Sequence, residues 1–260
     1  MTDSVAGCDV VVGFDFDAEE VWIGEDPGNA ARPGTLSQGT YGAKVAVPAV
    51  LELLRRLDIT ATFFVPGRVA ERHPARVEEI LAGRHEVAHH GYTHTSPTRL
   101  APAEEEEELV RGAQILSALG ADVVGYRSPS WDFSPVTLDL LVKHGFGYSS
   151  NLMDDIRPYR HASHDIVEVP VHWTLDDAAH FWFDTASWTK TIRTSAEVRA
   201  LWEEEFAGYS AMNGLYVLTL HPQVIGRPGR LRMLEAFLTW LRDQDGSRFK
   251  TARQAAEGCA

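Results

Sequence analysis

From Cys8 to Phe16 apolar residues run almost unbroken, and their alternation divides the segment into two faces. In an extended chain Val11, Gly13, Asp15 and Asp17 fall on one side, and Val12, Phe14 and Phe16 on the other. Six further runs read as strands: Ile59 to Val65, Glu86 to Ala88, Asp122 to Tyr126, Phe146 to Ser149, Ile166 to Val169 and Leu215 to Leu220. Between them the apolar positions take a helical period, clearest at Val47, Val50, Leu51, Leu54 and Leu57 within Lys44 to Leu57. Helices are also predicted over Pro74 to Leu81, from Pro102 onward, and over Pro135 to His144, Ser195 to Ser210 and Leu231 to Arg242. Strands alternating with helices imply parallel pairing, so the pattern predicts an α/β, barrel-like fold. Two stretches lack a period. Ile23 to Ala43 is rich in Gly, Pro, Asn and Ser and is predicted as a long loop, either a lid or a contact with a neighbouring subunit. Asn151 to Trp188 is predicted to be irregular around its one strand, with Trp173, Phe181, Trp182, Phe183 and Trp188 lining a pocket or packing a long excursion.

Composition narrows this picture. A chain of 260 residues can bury one large core, so a single domain over 1–260 is expected. The fractions of charged (23%) and hydrophobic (44%) residues are those of a globular protein, and no apolar run is long enough to span a bilayer, which excludes a membrane protein. A net charge of −13 without a compensating basic stripe argues against nucleic acid as a partner. Met1 to Gly7 carries no basic export signature, and two cysteines, Cys8 and Cys259, are too few for a disulfide framework. Reduced thiols in a cytoplasmic protein are therefore expected. The acidic run Glu104 to Glu108 opens a predicted helix and reads as a solvated face favoured by the helix dipole.

The chemistry gathers around four histidines in ten residues, His85, His89, His90 and His94. His85 to His89 spells H-E-x-x-H, which as a zinc-protease motif requires one continuous helix. The preceding helical pattern stops at Gly83, and Glu86-Val87-Ala88 reads as a strand, so that frame is disfavoured. In the alternative frame a strand delivers His90, and a turn through Gly91-Tyr92-Thr93 returns His94 to the same side. Two converging imidazoles and one carboxylate make a facial set for zinc or another divalent first-row metal. Asp15 and Asp17 share a face at the end of their strand, and flanking Phe14 and Phe16 make a solvated pair a poor explanation of them. With Arg127 and His221 they lie at or just beyond the C-terminal ends of strands, the face on which such barrels carry their chemistry.

Taken together these motifs resemble the polysaccharide deacetylase, or NodB-homology, family over nearly the whole chain. The resemblance implies a distorted (β/α) barrel of about seven strands. It implies a base at Asp15 oriented by Arg127, metal ligands at Asp17, His90 and His94, and a general acid at His221. It also implies a substrate groove shaped by Pro129 and Trp131 and by Leu218 or Leu220. Adjacent aspartates are usual in the polysaccharide enzymes, whereas here Phe16 separates Asp15 from Asp17. This D-x-D form, with His221 to Pro228 reading H-P-x-x-x-G-R-P, resembles a branch holding peptidoglycan-deacetylase-like proteins, cyclic imide hydrolases and allantoinases. The resemblance thus implies a zinc-dependent hydrolase of non-peptide C–N bonds, acting on an N-acylated sugar or on a small cyclic imide or ureide. Homotetramers are frequent in that branch, so a homo-oligomer is expected.

Overall fold

The computed structural model describes residues 7–183 and 192–259, and its strands form one sheet. They are β1 (Asp9–Asp15), β2 (Thr62–Val65), β3 (Glu86–His89), β4 (Gly125–Tyr126), β5 (Tyr148–Ser149), β6 (Tyr159–Arg160), β7 (Val167–Glu168), β8 (Leu215–Leu220) and β9 (Arg248–Lys250). The order is β6-β7-β5-β4-β3-β2-β1-β8, parallel throughout except for β6 against β7, and β9 lies parallel beside β1. Seven of the eight strands in parallel pairing coincide with the seven apolar runs. β6 and β9 escape sequence reading because Tyr159-Arg160 and Arg248-Phe249-Lys250 offer no apolar alternation to detect. β9 is fastened by charge instead, since Arg248 and Lys250 each reach a carboxylate oxygen of Asp9 at 2.6 Å.

β1 is the centre of the sheet. It pairs with β8 from Asp9↔Leu215 to Phe14↔Leu220, and its other edge is shared by β9 and β2. The curled sheet stays open on the far side, for among the described residues its edge strands β6 and β8 share no ladder. An isolated parallel bridge between Asp176 and Thr219, and the Leu215 N–H donating to the Ile156 carbonyl at 2.8 Å, staple that seam.

The helices are α1 (Glu20–Glu25), α2 (Pro33–Tyr41), α3 (Val47–Leu57), α4 (Gly67–Arg72), α5 (Pro74–Ala82), α6 (Pro102–Ala118), α7 (Thr137–Lys143), α8 (Asp177–Phe181), α9 (Ser195–Ala211), α10 (Pro222–Ile225), α11 (Pro228–Arg242) and α12 (Ala252–Glu257). The alternation of β1 sorts the core into two layers. Val12, Phe14 and Phe16 pack outward with Val50 and Leu54 of α3, Trp202 of α9 and Phe237 of α11. Val11 points inward to Phe64, Ala88, Val167 and Val217, where Ala252, Ala255 and Ala256 of α12 join them. Each large apolar side chain so buried contributes about 1.5–3 kcal/mol. No helix of the described residues is long and apolar enough to cross a membrane.

The stretch Ile23 to Ala43 is not a loop. It carries the end of α1, a 3-10 turn over Pro27–Ala31, and α2, which continues through a π-helical segment (Gly42–Ala46) into α3. Its prolines punctuate rather than break it: Pro27 and Pro33 sit in first turns, where a missing N–H leaves no bond unmade. Its glycines serve contact, since a Cβ on Gly39 would lie 2.4 Å from the backbone of Ala18. Asn151 to Trp188 likewise holds β6, β7, a 3-10 turn at Trp173–Leu175 and α8, while Trp188 lies outside the described residues.

Candidate active site

Six side chains singled out in the sequence converge at the C-terminal mouth of the sheet. β1 ends at Asp15, the Phe16 N–H bonds to the Phe64 carbonyl at 2.8 Å, and Ala18 turns through φ 45° into α1. That path leaves both carboxylates facing inward and buried. His90 follows β3 directly. Gly91 at φ +75° and His94 at φ 57° then form the turn that brings the second imidazole back, with ring centroids 5.0 Å apart. The turn is held from three sides. Glu108 of α6 accepts from the N–H groups of Tyr92 (2.9 Å) and Thr93 (2.7 Å), the Gly67 N–H of α4 reaches the Gly91 carbonyl, and Gly24 of α1 lies so close that a Cβ would be 2.5 Å from the His94 carbonyl oxygen.

The Oδ1 atom of Asp17 is buried and has no hydrogen-bond partner. It faces Nε2 of His90 at 3.4 Å and Nε2 of His94 at 3.5 Å. Donors about 2.0–2.1 Å from a tetrahedral ion stand roughly 3.4 Å apart, so the two distances from Asp17 fit a zinc-type cation, and all three donor atoms lie within 4.8 Å of one another. The His90 ring is oriented for it, because Nδ1 bonds the Arg127 carbonyl at 2.8 Å and leaves Nε2 turned to Asp17. Burial holds His94 down to about 4, so its imidazole is neutral at pH 7 and could donate to a cation. Burial works against the Asp17 carboxylate too, but the surrounding histidines, His94 first, bring it down to about 2.

On one side of these donors lies a buried ion pair. Arg127 donates from Nη1 to Asp15 Oδ1 at 2.7 Å and from Nε and Nη2 to the Ser150 carbonyl and hydroxyl, with its guanidinium 4.0 Å above the Phe64 ring. Asp15 Oδ2 remains turned to the site, 3.9 Å from His90 Nε2. On the other side His221 gives Nδ1 to Asp177 Oδ1 at 2.7 Å, and its backbone N–H reaches the same carboxylate. Its Nε2 therefore faces inward, 3.9 Å from Asp17 Oδ2. Burial disfavours the imidazolium, yet Asp176 and Asp177 outweigh it and raise the pKa of His221 well above the ordinary value.

Other expectations are placed differently. Pro129 packs against Gly91, and Trp131 stacks on Trp173 with centroids 4.4 Å apart beside Arg127. Leu218 and Leu220, expected to line the groove, instead point into the outer layer beneath the helices. The two-residue period decides this, since Thr219 between them faces inward and meets Arg127 Nη1 at 3.3 Å. The H-E-x-x-H frame has no helix to stand on. Glu86 bonds Thr62 and Tyr148, His85 accepts from the Ala61 N–H, and His89 is buried against the Leu109 carbonyl. Asp176, Asp177 and Gln223, whose Nε2 reaches Asp17 Oδ2 at 3.3 Å, were not singled out in the sequence. The adjacent acids after apolar Leu175 mark Asp176 and Asp177 only as a charged pair, without a partner, and no local signal marks Gln223.

The model of the polysaccharide deacetylase family matches residues 38–149. A peptidoglycan deacetylase of Helicobacter pylori is 30% identical over 95% of this chain and 94% of its own length. The chain belongs to the polysaccharide deacetylase family. A Mycobacterium smegmatis structure assigned to the polysaccharide deacetylases superposes with a TM-score of 0.94 at 39% identity, covering 99% of this chain and 91% of that one. The fold is shared more widely, by an allantoinase structure at TM-score 0.82 and 20% identity that covers 99% and 91% of the two chains. Membership in the polysaccharide deacetylase family places the chain among deacetylase hydrolases.

Proposed function

We propose that the chain hydrolyses a C–N bond of an N-acyl group, as in an N-acetylated sugar, with a zinc-type ion held by Asp17, His90 and His94. The observation that carries this reading is the bare, buried Asp17 Oδ1 facing two imidazole Nε2 atoms at 3.4 and 3.5 Å. Once bound, such an ion supplies Lewis-acid polarisation of an acyl oxygen and acidifies water to a pKa of about 7. The chain's own groups do the rest. Asp15 has one oxygen committed to Arg127, so Oδ2 is the atom that takes the proton from attacking water. His221, fixed through Nδ1 by Asp177, delivers a proton from Nε2 to the departing nitrogen. Its raised pKa keeps the imidazolium available at neutral pH, which suits an acid rather than a base. The family resemblance gives Trp131 and Pro129 the wall against which the substrate is held.

A second reading, opening of a small cyclic imide or ureide, is favoured by the D-x-D spacing of Asp15 and Asp17. The two are separated by incubating the zinc-loaded protein and a chelated control with N-acetylglucosamine oligomers, glutarimide, succinimide, dihydrouracil and allantoin. Acetate release from the sugars supports the first reading, and chelator-sensitive ring opening the second. Turnover that is indifferent to the chelator overturns the role given to Asp17, His90 and His94. Size-exclusion chromatography at working concentration tests the expected tetramer.

A further inference from the structure

A cavity of about 230 Å³ adjoins the site, walled by Trp22, Trp182, Phe183, Gln223, Arg227 and Arg230. Gln223 is the partition between the two spaces. Its Nε2 reaches Asp17, while its Oε1 is buried without a hydrogen-bond partner. The indoles of Trp22 and Trp182 are stacked with centroids 5.1 Å apart. The two arginines are held rigidly by rings rather than by acids: Arg227 lies 3.8 Å over Tyr41, and Arg230 lies 4.5 Å over Phe181 and donates to the Val224 carbonyl. Among the described residues neither has a carboxylate at ion-pair distance. Burial and the neighbouring Arg227 both oppose the charge on Arg230, and Asp177, the acid that favours it, is already engaged by His221. Arg227 is also the residue from which α11 starts, so the positive end of a fifteen-residue helix adds charge of the same sign.

Two like charges, half-buried and with no counter-ion among the described residues, are costly unless an anion completes them. We propose that this cavity is a subsite for a carboxylate, and that the substrate is an N-acyl compound bearing a carboxylate beyond its scissile bond. An apolar or ring portion lies against the tryptophans, while the carboxylate meets the planar forks of Arg227 and Arg230. The inference rests on the hydrolytic reading of the adjoining site, but it is tested by binding alone.

The test is calorimetry on the full, metal-free chain with two carboxylate probes and their neutral counterparts: N-acetylmuramic acid against N-acetylglucosamine, and N-acetylphenylalanine against its amide. At least one acid should bind about tenfold more tightly than its neutral counterpart, as expected of a charge-assisted bidentate contact. Which acid shows the preference separates a sugar acid from an amino acid. The preference should collapse in Arg227→Gln and Arg230→Gln, weaken in Arg227→Lys and Arg230→Lys, which keep the charge but lose the planar fork, and stay unchanged in Arg253→Gln, whose arginine pairs with Asp122 elsewhere. Circular dichroism shows that each variant is folded. Equal affinity for acid and neutral forms, absence of binding by both acids, or a preference that survives both glutamine variants overturns the subsite. Because the calorimetry measures binding without turnover, the hydrolytic reading fails separately, in a second incubation with zinc, if acids that bind selectively remain intact.

Discussion

Asp15 and Asp17 face the same way from one stretch of chain, yet their surroundings differ, and the proposed base and metal ligand follow from that difference. Asp15 is bonded by Arg127, whereas Asp17 Oδ1 is bonded by nothing. Asp15→Asn should therefore keep its metal and lose turnover by about 10²–10⁴, the range of a missing general base, whereas His94→Ala should lose metal and turnover together. Elemental analysis alongside initial rates distinguishes the two. His85 provides a test outside the site. Burial holds its pKa down to about 4 from 6.5, so the unfolded chain takes up this proton first as pH falls. Its stabilising contribution is full above pH 6.5 and is lost as the pH falls through the folded value near 4, a loss of about 3 kcal/mol. Urea unfolding at pH 7 and pH 4 should show this slope, and His85→Gln should flatten it. At this scale the site was legible wherever a residue stood at the end of an apolar run, as Asp15, Asp17, His90, Arg127 and His221 do. Asp177 and Gln223 were not, because nothing local to 177 or 223 says that the chain will fold back onto His221 and Asp17.

The elements around the site are fitted to one another by close backbone contact, which leaves little trace in hydrophobic periodicity. α1 and α2 were hidden within a Gly- and Pro-rich stretch because Gly24 and Gly39 serve approach rather than flexibility. Thr40 of α2 donates to Glu19 at 2.7 Å and His73 meets the same carboxylate at 2.8 Å, so α2 and the start of α5 together brace the chain just beyond Asp17. Gly24→Ala should drive α1 away from the His94 carbonyl, costing about 1–3 kcal/mol as overpacking and weakening metal affinity. Gly34→Ala, where a Cβ would meet nothing within 4 Å, should do neither. Thermal melts and a zinc titration of the two variants decide the matter. The seven parallel strands, by contrast, were legible because their alternation places apolar side chains on two layers at once.

Across the molecule the three candidate metal donors follow the ends of β1 and β3, which β2 separates, so a metal held there would clamp the sheet as well as serve chemistry. Zinc at about a hundred times its Kd should add roughly 2.7 kcal/mol of stability, seen as a higher Tm that chelator removes and His94→Ala never shows. The seam between β6 and β8 has a different bearing. Because the staple there is one bridge at Asp176 and one bond at Leu215, the circumference of the ring is set by a connecting segment rather than by paired strands. That same segment carries Trp173, Asp176 and Asp177, so the gauge of the mouth and the placement of the acid are adjusted together. Insertions or deletions between residues 151 and 193 can thus resize what the site admits while every ladder that holds Asp15, Asp17 and His90 stays intact.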